Sequence, residues 1–262
     1  MIPLEERRVV VTRPAAQAAE MCELLEKVGA VPVLVPTIAI GPPSSFESLD
    51  TALRSTEEYD WWVFTSANGA RAVLQRAATL GLEFGHTSQP RLAAVGPATQ
   101  AVLNDAGLRV AATPSDHRAD QIPDALGDLN GGRILLPRSD LADDSLPGLL
   151  RGRGDRVDSV AAYRTRTQPV TPTGLAELRQ GVDAITFTSP STVRGLLEGL
   201  GSAHSRLVGD AVVASVGPVT SEAARALGVH VHVEASESTA RGLVDALCRY
   251  ESWVGDPSSI TP

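Results

Sequence analysis

Residues 60–74 read DWWVFTSANGARAVL, and residues 183–197 return to the same pattern as DAITFTSPSTVRGLL. In each, a short apolar run rich in β-formers passes through a Thr-Ser pair into a helix-forming stretch. A strand apolar on every position, followed at once by a helix, is the building unit of a parallel sheet covered on both faces. Three further pairs follow in the same order, about 121–125 residues apart. LAAVGPATQAVLNDAGLRV (92–110) returns as VVASVGPVTSEAARALGVHV (212–231). ATPSDHRADQIPDAL (112–126) is echoed by VEASESTARGLVDAL (233–247), and the opening RVVVTRPAAQAAEMCELLEKVGAVPV by residues 133–160. The chain is an internal duplication.

Within the first copy, Arg8–Thr12, Trp62–Thr65, Leu92–Val95 and Arg109–Ala112 read as strands. Ala16–Val28, Ala67–Leu80 and Ala98–Ala106 read as helices, stopped by Gly29, Gly81 and Gly107, because glycine enters the left-handed conformation without steric cost. The predicted fold is α/β: two doubly wound, parallel-sheet domains of Rossmann-like or flavodoxin-like type. Val31–Ile40 and Val157–Thr167 read as extended, proline-marked segments suited to crossing between domains. Duplication by itself places the domain break near Asn130.

Composition narrows the function classes. With 43% hydrophobic and 21% charged residues the chain is globular in type. No apolar run is long enough for a membrane span. The charged opening MIPLEERRVVVTRP predicts no export signal, so a cytoplasmic protein is expected. A formal net charge of −8 and only 4% aromatic residues argue against nucleic-acid binding, which needs a basic face or a stacking platform. Cys22 and Cys248 read as reduced, partly buried thiols. No Walker or GxGxxG loop supports a nucleotide cofactor, and no GxSxG elbow anchors a hydrolase triad.

The repeated loops lie where strands end and helices begin, the edge at which open parallel sheets bind ligands. Thr65, Ser66 and Asn68 in one copy, and Thr188, Ser189 and Ser191 in the other, supply hydroxyls and an amide at helix starts. Gly96 with Thr99, and Gly217 with Thr220, belong to VGPxT loops that leave backbone N–H groups bare before a proline. These loops are candidate anion sites facing one shared cleft. The structural alternative for each is ordinary helix capping. Arg13 and Arg138 stand at equivalent places after the first strand of each copy, as anion clamps or as surface ion pairs. His230 and His232 lie two apart on an expected strand without a third ligand, so no metal is predicted. His86, His117 and His204 fall in loop-like sequence. Asp140, Asp143 and Asp144 flank a helix start, where acids suit the macrodipole. The tail 255–262 reads as disordered.

Taken together, VVVTRP, FTSANGARAV, LAAVGPATQAVL, ILLPRSD, AAYRT, ITFTSPSTVRGL, ASVGPVTSEAARALG and EASESTARGLVDAL resemble the uroporphyrinogen-III synthase family in order and across nearly the whole chain. The resemblance implies a discontinuous domain of residues 1–36 and 169–262, a second domain of 43–162, and linkers at 37–42 and 163–168. It implies cyclisation of hydroxymethylbilane, a linear tetrapyrrole with eight carboxylates, to uroporphyrinogen III. Ring D is inverted, water is lost, and no cofactor or metal is used. Tyr163 matches the tyrosine that family members are thought to use as general acid, its alternative being a packed linker residue. Thr99, Thr220, Ser66 and Ser189 match loop residues that would bind substrate carboxylates. The loop after Arg138 reads SDLADDS where relatives are glycine-rich, which weakens its expected contribution. A monomer is expected, with a transient contact to hydroxymethylbilane synthase. The rival reading is a non-catalytic, synthase-like tetrapyrrole or anion-sensing module; the thirteen residues after Arg249 leave little room for an output domain. A periplasmic-type anion binder is a further rival, opposed by the charged opening.

Overall fold

A computed structural model describes residues 4–84, 90–203, 209–250 and 253. His86, His204 and the 255–262 tail lie outside the described residues. The first half carries β1 (Arg8–Val11), α1 (Ala19–Lys27), β2 (Val31–Leu34), β3 (Ile38–Gly41), α2 (Glu47–Arg54), β4 (Trp61–Phe64), α3 (Ala67–Thr79), β5 (Arg91–Ala94), α4 (Pro97–Asp105), β6 (Val110–Ala112) and α5 (Ile122–Leu126). There follow β7 (Arg133–Ser139), α6 (Ser145–Gly152), β8 (Arg156–Thr167), α7 (Pro172–Arg179), β9 (Ala184–Phe187), α8 (Pro190–Leu200), β10 (Val212–Ser215), α9 (Pro218–Ala226), β11 (Val233–Glu234) and α10 (Ala240–Cys248). The chain divides into two compact units, Met1–Ala39 with Thr167–Pro262, and Ile40–Arg166.

The first unit holds a five-stranded sheet in the order β2-β1-β9-β10-β11, with parallel pairing throughout. Counted within the unit this is 2-1-3-4-5, the flavodoxin-like order. The second unit repeats it as β8-β7-β4-β5-β6, with β3 added outside β8. The duplicated segments therefore occupy matching strands: β4 with β9, β5 with β10, β6 with β11, and β7 with β1. Burial follows the pleat. Trp62 and Phe64 enter one core of the second unit, Trp61 and Val63 the other. In the first unit Val9 and Val11 face one core and Val10 the opposite one. Alternate side chains of a strand point to opposite faces, so an all-apolar strand feeds two cores.

An acidic residue pins each sheet at its amino edge. Asp60 accepts from the Arg133 N–H through its carboxylate at 2.7 Å and donates its own N–H to the Arg133 carbonyl at 2.9 Å. Asp183 does the same to Arg8, at 2.8 and 2.9 Å. The expected stop glycines hold, with φ of 82° at Gly29, 67° at Gly81 and 76° at Gly107. Two local expectations fail. The helix predicted over Ala16–Val28 is a 3₁₀ turn at Ala15–Gln17 followed by α1, because the chain must first close its turn onto the Pro14 carbonyl. His230 and His232 precede β11 in irregular chain rather than lying on a strand.

Candidate active site

In the second unit, the carboxyl edge of the sheet gathers Thr65, Ser66 and Asn68 after β4, Gly96 and Thr99 after β5, Arg138 at the end of β7 and Tyr163 in β8. Ser66 is the N-cap of α3, its Oγ accepting from the Gly69 N–H at 3.1 Å. The same oxygen lies 3.0 Å from the Tyr163 hydroxyl. What brings the tyrosine there is a fault in the β7–β8 ladder. Arg138 pairs with Ala161 but Ser139 pairs with Tyr163, so Ala162 is an extra residue on the β8 side. A bulge of this kind re-aims the following side chain. Ala162 and Tyr163 consequently pack into the same core, where regular pleating would send them to opposite faces. Asp140 fastens the distorted stretch. Its N–H donates to the Tyr163 carbonyl at 3.1 Å, and its carboxylate accepts from the Thr165 N–H at 3.2 Å and from the Ser139 hydroxyl at 3.2 Å.

Tyr163 is 8% exposed. Burial pushes its phenol above the ordinary tyrosine range, the Ser66 hydrogen bond pulls it back, and the Asp140 charge adds to the rise. It is therefore a protonated phenol at neutral pH, able to give a proton rather than take one.

The remaining candidates divide by how much of their chemistry the fold already uses. Gly96 and Gly217 are N-caps with Pro97 and Pro218 in the first helical position, as the sequence predicts. Thr99 and Thr220 sit in the first turns of those helices and are nearly covered, at 4% and 3% exposure. Ser189 closes a capping box: its Oγ accepts from the Thr192 N–H, and its own N–H donates to the Thr192 Oγ1. Thr188 and Ser191, on either side, are half-buried. Arg13 is half-buried just beyond β1. Arg138 turns onto its own loop, bonding the Asp143 carbonyl and, at 3.4 Å, the Asp144 carboxylate. Among these residues, Ser66 and Tyr163 meet directly.

The sequence model of the family described as Uroporphyrinogen-III synthase HemD matches residues 19–245. The chain belongs to the uroporphyrinogen-III synthase family. It is 32% identical to the uroporphyrinogen-III synthase of Synechococcus elongatus over 259 residues, covering 96% of this chain and 97% of that one. A Methanothermobacter thermautotrophicus relative is 36% identical over 225 residues, covering 81% and 86%. A solved uroporphyrinogen III synthase from Thermus thermophilus, in a triple-mutant form, superposes with a TM-score of 0.65 at 24% identity, covering 94% of this chain and 99% of that one; it supports the fold. The chain is thus an enzyme of porphyrin biosynthesis.

For this synthase-family member, residue-by-residue reading misses Gly69, Ala162 and Asp140 as parts of the site. Gly69 carries a legible signal, since glycine at the third position of a helix is costly unless something approaches closely. A Cβ there would stand 3.0 Å from the Pro137 carbonyl oxygen and 3.8 Å from the Tyr163 ring. The other two have no local signal. Among the described residues no three His, Cys, Asp or Glu side chains are grouped to hold a metal. Asp143 and Asp144 serve α6 as the sequence suggests, Asp144 at the N-cap and Asp143 accepting from the Ser145 N–H at 2.9 Å. Cys22 and Cys248 are free, partly buried thiols.

Proposed function

We propose that the chain cyclises hydroxymethylbilane to uroporphyrinogen III with Tyr163 as the proton donor. The observation that carries this reading is a buried, protonated phenol at the carboxyl edge of a parallel sheet, tied to a helix cap by a 3.0 Å hydrogen bond. Loss of hydroxide from the substrate's hydroxymethyl carbon is slow unless the oxygen is protonated as the bond breaks. The phenol hydrogen passes to that oxygen, the carbon–oxygen electron pair leaves with it, and water departs. The carbon left behind shares its positive charge with the adjacent pyrrole nitrogen. Ring closure later releases one proton from the attacked pyrrole carbon, which returns to the phenolate, so the only net loss is water.

Closure without an enzyme gives the uninverted isomer, so the protein's larger task is to hold the substrate in the conformation that inverts ring D. Backbone N–H groups at the starts of α3 and α4 are suited to its carboxylates, with no need for a lysine cluster. The starts of α8 and α9 offer the same donor chemistry. The reading extends to a monomer in the cytoplasm that receives its substrate by transient contact with hydroxymethylbilane synthase. A substrate that closes wrongly when left alone favours such a handover. Among the described residues no helix is long and apolar enough to cross a membrane.

The test supplies freshly made hydroxymethylbilane and separates the type I and type III products. The type III isomer is expected; type I alone, at the uncatalysed rate, defeats the enzymatic reading. Tyr163→Phe should lower kcat on the order of 100-fold, the usual span of a general acid, with an unchanged circular dichroism spectrum. Undiminished turnover in that variant removes Tyr163 from the chemistry and leaves the family membership untouched.

A further inference from the structure

We infer that Ser66 is a positioning residue that donates its hydroxyl hydrogen to the Tyr163 oxygen, aiming the phenol hydrogen away from the protein and holding the phenolate that forms. The inference rests on the proposed role of Tyr163 and adds a second job to a residue whose visible one is capping.

A serine hydroxyl has one hydrogen to give and two lone pairs. One lone pair of Ser66 is taken by the Gly69 N–H. The 3.0 Å contact to Tyr163 can then run in either direction. If the phenol donates, its hydrogen is spent on Ser66 and cannot reach a leaving group. If Ser66 donates, the phenol hydrogen is free, and the phenolate left after transfer still has a partner. Two features favour the second arrangement. An N–H donated to Oγ polarises the hydroxyl and makes it a stronger donor. Ser66 also caps a thirteen-residue helix, whose N-terminal field favours negative charge nearby. The heavy atoms need not move, because Gly69 packs the first turn of α3 against the Pro137 carbonyl and the Tyr163 ring. Ser189, the equivalent residue of the first unit, closes a capping box with Thr192. The two repeats thus keep the capping serine and diverge three residues later, at Gly69 and Thr192.

Capping and donation separate by substitution. Ser66→Gly removes the hydroxyl at little cost to the cap, since glycine is itself a favoured N-cap residue. Ser66→Ala removes both, and Ser66→Thr keeps both. Both hydroxyl-less variants should lose kcat roughly 10-fold, a general-acid effect reduced but not abolished, with KM nearly constant; Ser66→Thr should recover it. The ultraviolet titration of Tyr163, read as the difference from Tyr163→Phe, should move to higher pH in Ser66→Gly and Ser66→Ala. In a Tyr163→Phe background, Ser66→Gly should cost no further kcat.

A rise in KM with kcat intact would make Ser66 a carboxylate ligand and overturn the inference. So would a tyrosine titration that stays put or moves down, or full additivity of the two substitutions. Should Tyr163→Phe itself turn over normally, the general-acid reading fails, while the titration still decides whether Ser66 donates to Tyr163. If Ser66→Ala does not fold, Ser66→Gly carries every arm.

Discussion

Gly69 is where helix propensity and site geometry oppose each other. Replacing a glycine inside a helix by alanine ordinarily stabilises by about 1 kcal/mol. Here the new methyl would sit 3.0 Å from the Pro137 carbonyl oxygen, a backbone atom that cannot swing aside, and 3.4 Å from the Ser66 Oγ. The first turn of α3 must then lift by a few tenths of an ångström and carry Ser66 off Tyr163. Gly69→Ala is therefore expected to leave the melting temperature within a few degrees while lowering kcat several-fold; an unchanged kcat would show that the cap tolerates the shift. Ser66 and Ser189 are legible in the sequence because capping is a local affair: a serine between an apolar run and a helix has few other uses. Tyr163 is legible through the family resemblance, not from any local pattern. The bulge at Ala162 is not legible at all, because a bulge is set by the register of β7 against β8 and that register is a tertiary fact.

At the scale of elements, the short edge strand β11 shows a side chain standing in for a strand. Only Val233 and Glu234 pair with β10, at Ala214 and Ser215. Just before them, His232 donates its backbone N–H to the Val213 carbonyl at 2.9 Å, and its Nδ1 accepts the Val213 N–H at 3.0 Å. That arrangement needs a neutral ring. Burial, and then the neighbouring His230, hold the His232 imidazole below the usual histidine range. The sign follows. The unfolded chain takes up the proton first, so the stability this residue contributes is present above the unfolded value of about 6.5 and is lost as pH falls. The melting temperature should drop between pH 7.5 and 5. His232→Leu should lower it at pH 7.5 by the loss of a hydrogen bond worth about 1 kcal/mol and flatten the acid limb. An equally steep limb in the variant would assign the pH dependence to other groups. The alternating Val-His-Val-His has the period of a strand, which is why the sequence predicts one there; the imidazole, by taking the Val213 N–H, replaces the ladder the pattern suggests. Elsewhere the elements are readable to within a residue or two, since apolar runs of four and glycine stops are strong punctuation.

For the whole molecule, the consequence of the duplication is that the two units differ in how they can be made. In the second unit, the central pair β4 and β7 and both cores arise from the continuous stretch Ile40–Arg166. In the first, the interior position between β9 and β2 is filled by β1, which comes from the other end of the chain. The segment from Thr167 onward alone would lack Val9, Val11, Met21, Leu24 and Leu25, all buried in one core. Burying each such side chain contributes about 1.5–3 kcal/mol, and their sum is comparable to the roughly 5–15 kcal/mol that holds a whole domain together. It would also leave β9 with an unpaired edge. A fragment of residues 40–166 is therefore expected to melt cooperatively by itself. A fragment of 167–262 is expected to be unfolded by circular dichroism until a peptide of residues 1–39 is added, and then to gain structure that saturates at one equivalent. Cooperative melting of 167–262 without the peptide would mean that β9, β10 and β11 form a sufficient core, and that the first βα unit is an addition to the domain rather than its centre.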